Sequence, residues 1–272
     1  MKITMIGLGR TGIEIAKAIS KQSKYKIVSV LCSSESEKLG VDLGDLLGSE
    51  KTGVTVSSIE NLEEVLKKSK PEVVIDFSNS KAALNSAEVV SKMKINMVIG
   101  TTGFSEIETR KLEKLSEVHN NGIVYAPNIT LGVNVSMLLA NIAASILNNY
   151  EFHINEIHHK YKKDSPSGTA LKIAKEIEKG LQASGNDKAE EVSISSLRAG
   201  GIIGKHEILI IGENDKIEIS HEAINRQAFA EGAIKATNFI YKKSGYYEMN
   251  DVLNLSKVFN DYMDGQYKKA IF

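Results

Sequence analysis

Lys2-Ile3-Thr4-Met5-Ile6-Gly7-Leu8-Gly9-Arg10-Thr11-Gly12 opens the chain, and Ile13, Ile15, Ala16 and Ile19 follow it at helical spacing. A short apolar strand therefore runs into a G-x-G-x-x-G turn that starts a helix. That context turns a weak pattern into an informative one. The glycines serve separate physical ends: Gly7 for the tight turn, Gly9 for close approach of backbone to a pyrophosphate, Gly12 for close packing of helix on strand. The helix N-terminus then faces the phosphates with unpaired N–H groups and its positive dipole end. The same spacing could serve a βα turn without a ligand; the flanking strand and helix favour a dinucleotide site at Gly7, Leu8, Gly9, Arg10, Thr11 and Gly12.

Beyond the first helix, strands and helices alternate at short spacing. Strands are expected at 26–31, 73–78, 97–99 and 122–125, with helices at 61–69, 81–93 and 107–119. Residues 36–56 read as a glycine-containing excursion. This βα alternation through residue 128 predicts a Rossmann-type, doubly wound parallel sheet in an α/β domain. In a site built for NAD, an acid usually ends the second strand and grips the ribose. Here the strand ends Cys32-Ser33-Ser34, and an acid appears only at Glu35. Ser33 can tolerate or hydrogen-bond a 2′-phosphate, yet no arginine lies near it in sequence. The expected cofactor is NADH, NADPH or both, with a slight lean to both. Gly100-Thr101-Thr102-Gly103 forms a second glycine-bounded hydroxyl turn at a strand end, where α/β sheets keep their ligands.

The pattern changes after residue 128. A long apolar helix is expected at 133–147, then strands at 151–157, 192–197, 206–212 and 215–221, a helix at 171–181 and another at 228–240. Gly212-Glu213-Asn214-Asp215 joins two of the strands as a hairpin. The expectation is a second, α+β domain over 129–240, with a dinucleotide-binding domain over 1–128 completed by the C-terminal segment 241–272. The 272 residues, 42% of them apolar, suffice for two such cores. Thirty-four basic residues balance 34 acidic ones, which leaves no electrostatic footprint for nucleic acid or an anionic membrane. The single cysteine, Cys32, excludes an internal disulfide and a cysteine-rich zinc site. No targeting segment or apolar run of spanning length is visible, so a cytoplasmic protein is expected.

The chemistry concentrates in Glu156-Ile157-His158-His159-Lys160-Tyr161-Lys162-Lys163-Asp164-Ser165-Pro166-Ser167-Gly168-Thr169-Ala170. Two of the six histidines stand beside lysines and a Ser-Gly-Thr turn at a helix entrance. Such a turn offers N–H groups and hydroxyls to an anion. Histidine and lysine beside an anion cradle point to acid catalysis on a carboxylate-bearing substrate. A solvated polar connector is the plainer alternative. Lys160 and Lys163 read as solvated, and His119, His153, His206 and His221 as structural or surface residues. Neighbouring histidines rarely point at one ion, so no metal site is expected.

The whole stretch from Glu156 to Ala170 resembles the signature of the 4-hydroxy-tetrahydrodipicolinate reductase (dihydrodipicolinate reductase) family. Gly7–Gly12, Asp76-Phe77-Ser78, Gly100–Phe104, Ala126-Pro127-Asn128-Ile129 and Arg198–His206 resemble further segments of that family, so the likeness covers nearly the whole chain. It implies a homotetrameric enzyme that reduces a small cyclic unsaturated dicarboxylate in lysine and diaminopimelate biosynthesis. By the same resemblance, His158 takes the position of the acid and Lys162 that of the proton donor. His159 takes a substrate-binding position, Gly168 and Thr169 hold a substrate carboxylate, and Ala126, Pro127, Asn128 and Ile129 lie on the cofactor side. The residues alone leave open which of His158 and Lys162 delivers the proton. Two other functions compete: a diamino acid (amine) dehydrogenase of similar fold, which need not keep the whole His-His-x-x-Lys and Ser-Gly-Thr array, and a non-catalytic nicotinamide sensor, which would be expected to lose His158 and Lys162.

Overall fold

Strand β1 (Lys2–Ile6) is buried from Ile3 onward, as a strand must be when both faces of its sheet are covered. After it come α1 (Arg10–Ser20), β2 (Lys26–Cys32), α2 (Leu43–Leu47), β3 (Val56–Ser58), α3 (Leu62–Ser69), β4 (Val73–Asp76), α4 (Ser80–Lys92), β5 (Asn96–Ile99), α5 (Glu106–His119) and β6 (Gly122–Tyr125). The second half holds α6 (Leu131–Ile146), β7 (Glu151–His158), α7 (Gly168–Ala183), β8 (Ser193–Arg198), β9 (Lys205–Ile211) and β10 (Lys216–Glu222), then α8 (Gln227–Ile240), β11 (Gly245–Tyr247), α9 (Met249–Leu253) and α10 (Leu255–Met263). This computed structural model describes residues 1–185 and 191–263; the last part of the expected segment 241–272 lies outside them. The chain divides into two units, 1–129 with 229–272, and 130–228.

The first unit is built on a seven-stranded sheet in the order β11-β6-β5-β4-β1-β2-β3. Every pairing in it is parallel. The strand order reverses at β1, which makes the C-terminal ends of β1 and β4 the switch point where such sheets bind ligands. The sequence placed 229–240 with the second unit. In the structure it groups with the first, because Ala230, Ala233, Ala236 and Ile240 are buried and Asn96 Nδ2 donates to the Ile240 carbonyl at 2.6 Å. The excursion at 36–56 has an organiser of its own. Asp42 accepts from the N–H groups of Gly44 (2.7 Å), Thr52 (2.9 Å) and Gly53 (2.8 Å), which caps α2 and closes the loop onto the edge strand β3.

Asp76 ends β4 and is fully buried. Its Oδ1 accepts from the Ser78 N–H at 2.8 Å. Burial pushes its carboxyl up to about 6, against the hydrogen bonds of Ser78 and Ser86. A carboxyl raised in the folded state favours folding while protonated, and that contribution is lost as pH rises through the folded value. Asp76→Asn keeps the acceptor for Ser78 and removes the charge. The variant should therefore gain melting temperature over the parent as the buffer moves from about pH 4 to about pH 7, read by thermal denaturation at each pH.

The second unit carries a four-stranded sheet in the order β10-β9-β7-β8. The β10/β9 and β9/β7 pairs are antiparallel and β7/β8 is parallel, as expected of an α+β domain. Strict alternation along β7 and β9 turns Phe152, Ile154, Ile208 and Ile210 inward. There they join Val133, Met137 and Ala140 of α6 and Ile173 and Ile177 of α7 in one core. Among the described residues, no helix is long and apolar enough to cross a membrane.

Candidate active site

The glycine loop lies at the C-terminal end of β1, pinned by the bond from Gly7 N to the Leu31 carbonyl of β2 (2.9 Å). Gly7 adopts φ +84°, and a Cβ on Gly12 would meet the Gly7 carbonyl oxygen at 2.0 Å. Gly9 is the N-cap of α1 and has no side chain to spend on the first N–H groups, and the first turn holds no acid. A Cβ on Gly9 would meet nothing within 4 Å. That combination of uncapped N–H groups and open space fits a pyrophosphate. Arg10 is exposed and Thr11 half-buried at the same turn. The neighbouring strand ends complete this face. Gly100 N donates to the Asp76 carbonyl (3.0 Å) and Ala126 N to the Ile99 carbonyl (2.8 Å). Thr101 is buried with its hydroxyl unpartnered among the described residues, Thr102 is exposed, and Pro127 is half-buried between buried Ala126 and the buried Asn128 and Ile129. Ser33 is exposed directly after β2. Sequence proximity found no arginine for a 2′-phosphate here; the fold supplies a different cation, since Lys38 Nζ donates to the Leu8 carbonyl of the glycine loop.

The histidine stretch belongs to the second unit. Residues two apart on a strand share a face, so Glu156 and His158 both point inward from β7. Register does the rest: Ser196 and Arg198 of β8 stand opposite Glu156 and His158, and His206 of β9 stands opposite Glu156. His158 Nδ1 is hydrogen-bonded to Glu156 Oε2. Glu156 Oε1 accepts from Arg198 Nη2 at 2.7 Å and from the Ser167 N–H at 3.2 Å. Ser167 in turn caps α7 by accepting from Ala170 N (3.1 Å), and its hydroxyl meets His206 Nε2 at 3.2 Å. Burial raises the Glu156 carboxyl, but hydrogen bonds from Arg198, Ser196 and His158 overcome this and hold it at about 2. Burial pushes the His158 imidazole below its ordinary value, against the pull of that carboxylate. It pushes His206 down to about 3, helped by the neighbouring His158.

Lys162 lies in the loop after β7, partly exposed, with Nζ 2.8 Å from Asp164 Oδ2. The Gly168 N–H also bonds the Asp164 carboxylate; burial opposes that charge, and Lys162 with Gly168 outweighs it and lowers the carboxyl. Gly168 is exposed at the first turn of α7, Thr169 beside it is half-buried, and His159 is half-buried after β7. The structure thus gathers His158, Lys162, Gly168 and Thr169 around the start of α7 and adds Glu156, Arg198, Ser167 and His206, which the sequence did not single out as acting groups. Glu156, His158 and His206 hold possible ligand atoms within 4.8 Å of one another. The Arg198 guanidinium bonded to Glu156 places a positive charge beside this trio, which opposes a further cation.

A parallel nucleotide-binding sheet with this glycine loop, in one chain with a unit that gathers histidine, lysine and arginine around a helix start, defines an NAD(P)H-dependent oxidoreductase. Residues 1–129 match the family model for the N-terminus of dihydrodipicolinate reductase, and residues 132–253 match that for its C-terminus. The 4-hydroxy-tetrahydrodipicolinate reductase of Methanocaldococcus jannaschii is 37% identical over 271 residues, covering 95% of this chain and 99% of the relative. A dipicolinate-bound dihydrodipicolinate reductase from Paenisporosarcina sp. TG-14 superposes with a TM-score of 0.73 at 25% identity, over 91% of this chain and 97% of that one. An amine dehydrogenase from Mycobacterium smegmatis shares the fold at 13% identity, with a TM-score of 0.57 over 91% and 94% of the two chains. The chain belongs to the dihydrodipicolinate reductase family.

Proposed function

We propose that the protein reduces 4-hydroxy-tetrahydrodipicolinate to tetrahydrodipicolinate in lysine and diaminopimelate biosynthesis. The observation that carries the substrate class is Asp164. A carboxylate already sits on Lys162 Nζ and the Gly168 N–H, so these donors have the placement to receive one. A substrate carboxylate meets the same pair, with Thr169 beside Gly168 at the helix start, where the dipole favours negative charge. His159 adds a binding contact from the strand end. The bound nicotinamide supplies a hydride to one carbon of the conjugated system. The protein supplies the proton to the other; water has by then left from the 4-hydroxyl and a hydrogen of the adjacent carbon, which is what creates the conjugated double bond. His158 spends Nδ1 on Glu156, which leaves Nε2 for substrate. Lys162 brings an ammonium, and we assign it the proton, with His158 orienting the substrate.

On the cofactor side, the N–H groups around Gly9, Arg10 and Thr11 take the pyrophosphate. Gly100, Thr101 and Thr102, with Ala126–Ile129, border the remainder of the dinucleotide. Ser33 and Lys38 admit a 2′-phosphate, and the lack of an acid at Cys32-Ser33 leaves NADH acceptable, so both cofactors are used. We further propose a cytoplasmic homotetramer assembled through the second unit's sheet. Its outward face carries Ile157 opposite Leu197, which is 53% exposed, and Leu209 opposite His153 further along the sheet, apolar positions set among polar ones for a second copy to cover. The test is loss of reduced-nicotinamide absorbance with enzymatically generated 4-hydroxy-tetrahydrodipicolinate, run with NADH and NADPH in parallel. Turnover with both is expected. Tight cofactor binding without turnover overturns the reading in favour of a diamino acid dehydrogenase or a sensor.

A further inference from the structure

Glu156 is 1% exposed, yet it carries a charge. A buried carboxylate is costly unless its lone pairs are filled, and these are: by His158 on one oxygen, and by Arg198 and the Ser167 N–H on the other. Each partner belongs to a different part of the proposed site. His158 is the ring that meets substrate. Ser167 caps the helix whose first N–H groups take the carboxylate. Arg198 also bonds the Asp164 carbonyl at 2.6 Å, which fixes the loop that carries Lys162. One carboxylate therefore ties the acid, the anion cradle and the lysine loop to a single point.

We infer that Glu156 is a positioning residue for the reaction, holding His158 as the Nδ1–H tautomer so that Nε2 is the ring atom presented to substrate. The inference rests on the reductase reading above. An imidazole has two nitrogens, and the bond made by one decides what the other offers. A carboxylate can only accept, so Nδ1 must donate to it. Gly204 borders the Nε2 edge of the ring, where a Cβ would come within 2.9 Å of that nitrogen, so the missing side chain keeps the space beside it open. The other charged or titratable groups facing this pair are Arg198 from β8, His206 from β9 and Lys162 from the loop. Arg198 and Lys162 cannot replace Glu156 as an acceptor for Nδ1, since both only donate, and His206 spends Nε2 on Ser167.

The first test needs no mutation. Long-range proton–nitrogen spectra of the imidazoles in the whole enzyme report each ring's tautomer, with His158→Gln providing the assignment. The Nδ1–H form of His158 is expected at neutral pH; finding the Nε2–H form overturns the inference whatever the enzyme's activity. The second test is Glu156→Gln, which keeps the shape and can offer an amide N–H to Nδ1. It should invert the tautomer, lower kcat about a hundredfold with a smaller change in substrate KM, and shift the pH profile of kcat, while NADH affinity stays the same. Glu156→Asp should recover part of the rate. Unchanged kcat and pH profile in a folded Glu156→Gln enzyme overturn the positioning role. The expected tautomer together with no turnover by the parent protein on 4-hydroxy-tetrahydrodipicolinate would instead defeat the reductase reading and leave the orientation standing.

Discussion

The double variant His158→Gln, Lys162→Met should lose about 10³–10⁴-fold in kcat while binding NADH as the parent does. General acid catalysis supplies about 10²–10⁴-fold when the donor is in place, and His158 at the end of β7 and Lys162 in the loop after it are the groups proposed to hand over the proton and to steer its acceptor. Each replacement has a distinct signature. Lys162→Met removes an ammonium that faces a carboxylate, so it should raise substrate KM as well as lower kcat. His158→Gln leaves Lys162 in place and should act mainly on kcat, because an interaction made only in the transition state lowers kcat and kcat/KM together. If the pair works as one unit, the double variant loses little more than the worse single one, as groups in one mechanism are strongly non-additive. NADH affinity is the control, since the glycine loop belongs to the other unit. Steady-state rates for both singles and the double decide the matter. Turnover by the double variant within about tenfold of the parent, short of the roughly hundredfold that a placed general acid contributes at least, would remove both residues from the chemistry.

Local rules made most of this molecule legible. The strand, glycine turn and helix from Lys2 onward were readable because each demand there is local: an apolar run, a residue at φ +84°, an uncapped helix start. The stretch from His158 to Thr169 stands out for the same reason, since its candidate groups lie within one strand end, one loop and one helix turn. Glu156 stood in that stretch but gave no sign of its role, because its partners come from other strands. Only the register of β7 with β8 and β9 brings Ser196, Arg198 and His206 beside it, and register is a property of the sheet rather than of any one segment. His206 looked like an ordinary strand histidine for that reason. Lys38 is not legible in the sequence because the excursion that carries it is folded by Asp42, which grips Thr52 ten residues further on. The last strand, β11, has three half-buried residues and no alternation to betray it. Its place beside β6 is decided by pairing from Gly245 to Gly122.

Gly12→Ala should cost both stability and cofactor affinity, whereas Gly9→Ala should cost affinity alone. The two positions are three residues apart in one motif, and their surroundings differ completely. At Gly12 a Cβ would lie 2.0 Å from the Gly7 carbonyl oxygen and 3.1 Å from its carbon. Backbone cannot swing aside as a flexible side chain does, and Gly7 is held by its bond to Leu31 on β2. The helix must therefore lift off the loop, at about 1–3 kcal/mol for overpacking of this kind. That movement also carries away the N–H groups that face the pyrophosphate. At Gly9 the added methyl meets nothing within 4 Å, so the fold should tolerate it, with a melting temperature close to that of the parent. The space it would fill is the space a pyrophosphate needs, and a close backbone approach at that glycine is what the motif provides. Titration calorimetry with NADH should show affinity falling by about tenfold or more in both variants, and thermal denaturation should show a drop only for Gly12→Ala. A Gly9→Ala protein that binds NADH as tightly as the parent would mean that the phosphates do not approach α1 over Gly9, and the whole orientation of the cofactor on this sheet would have to be redrawn.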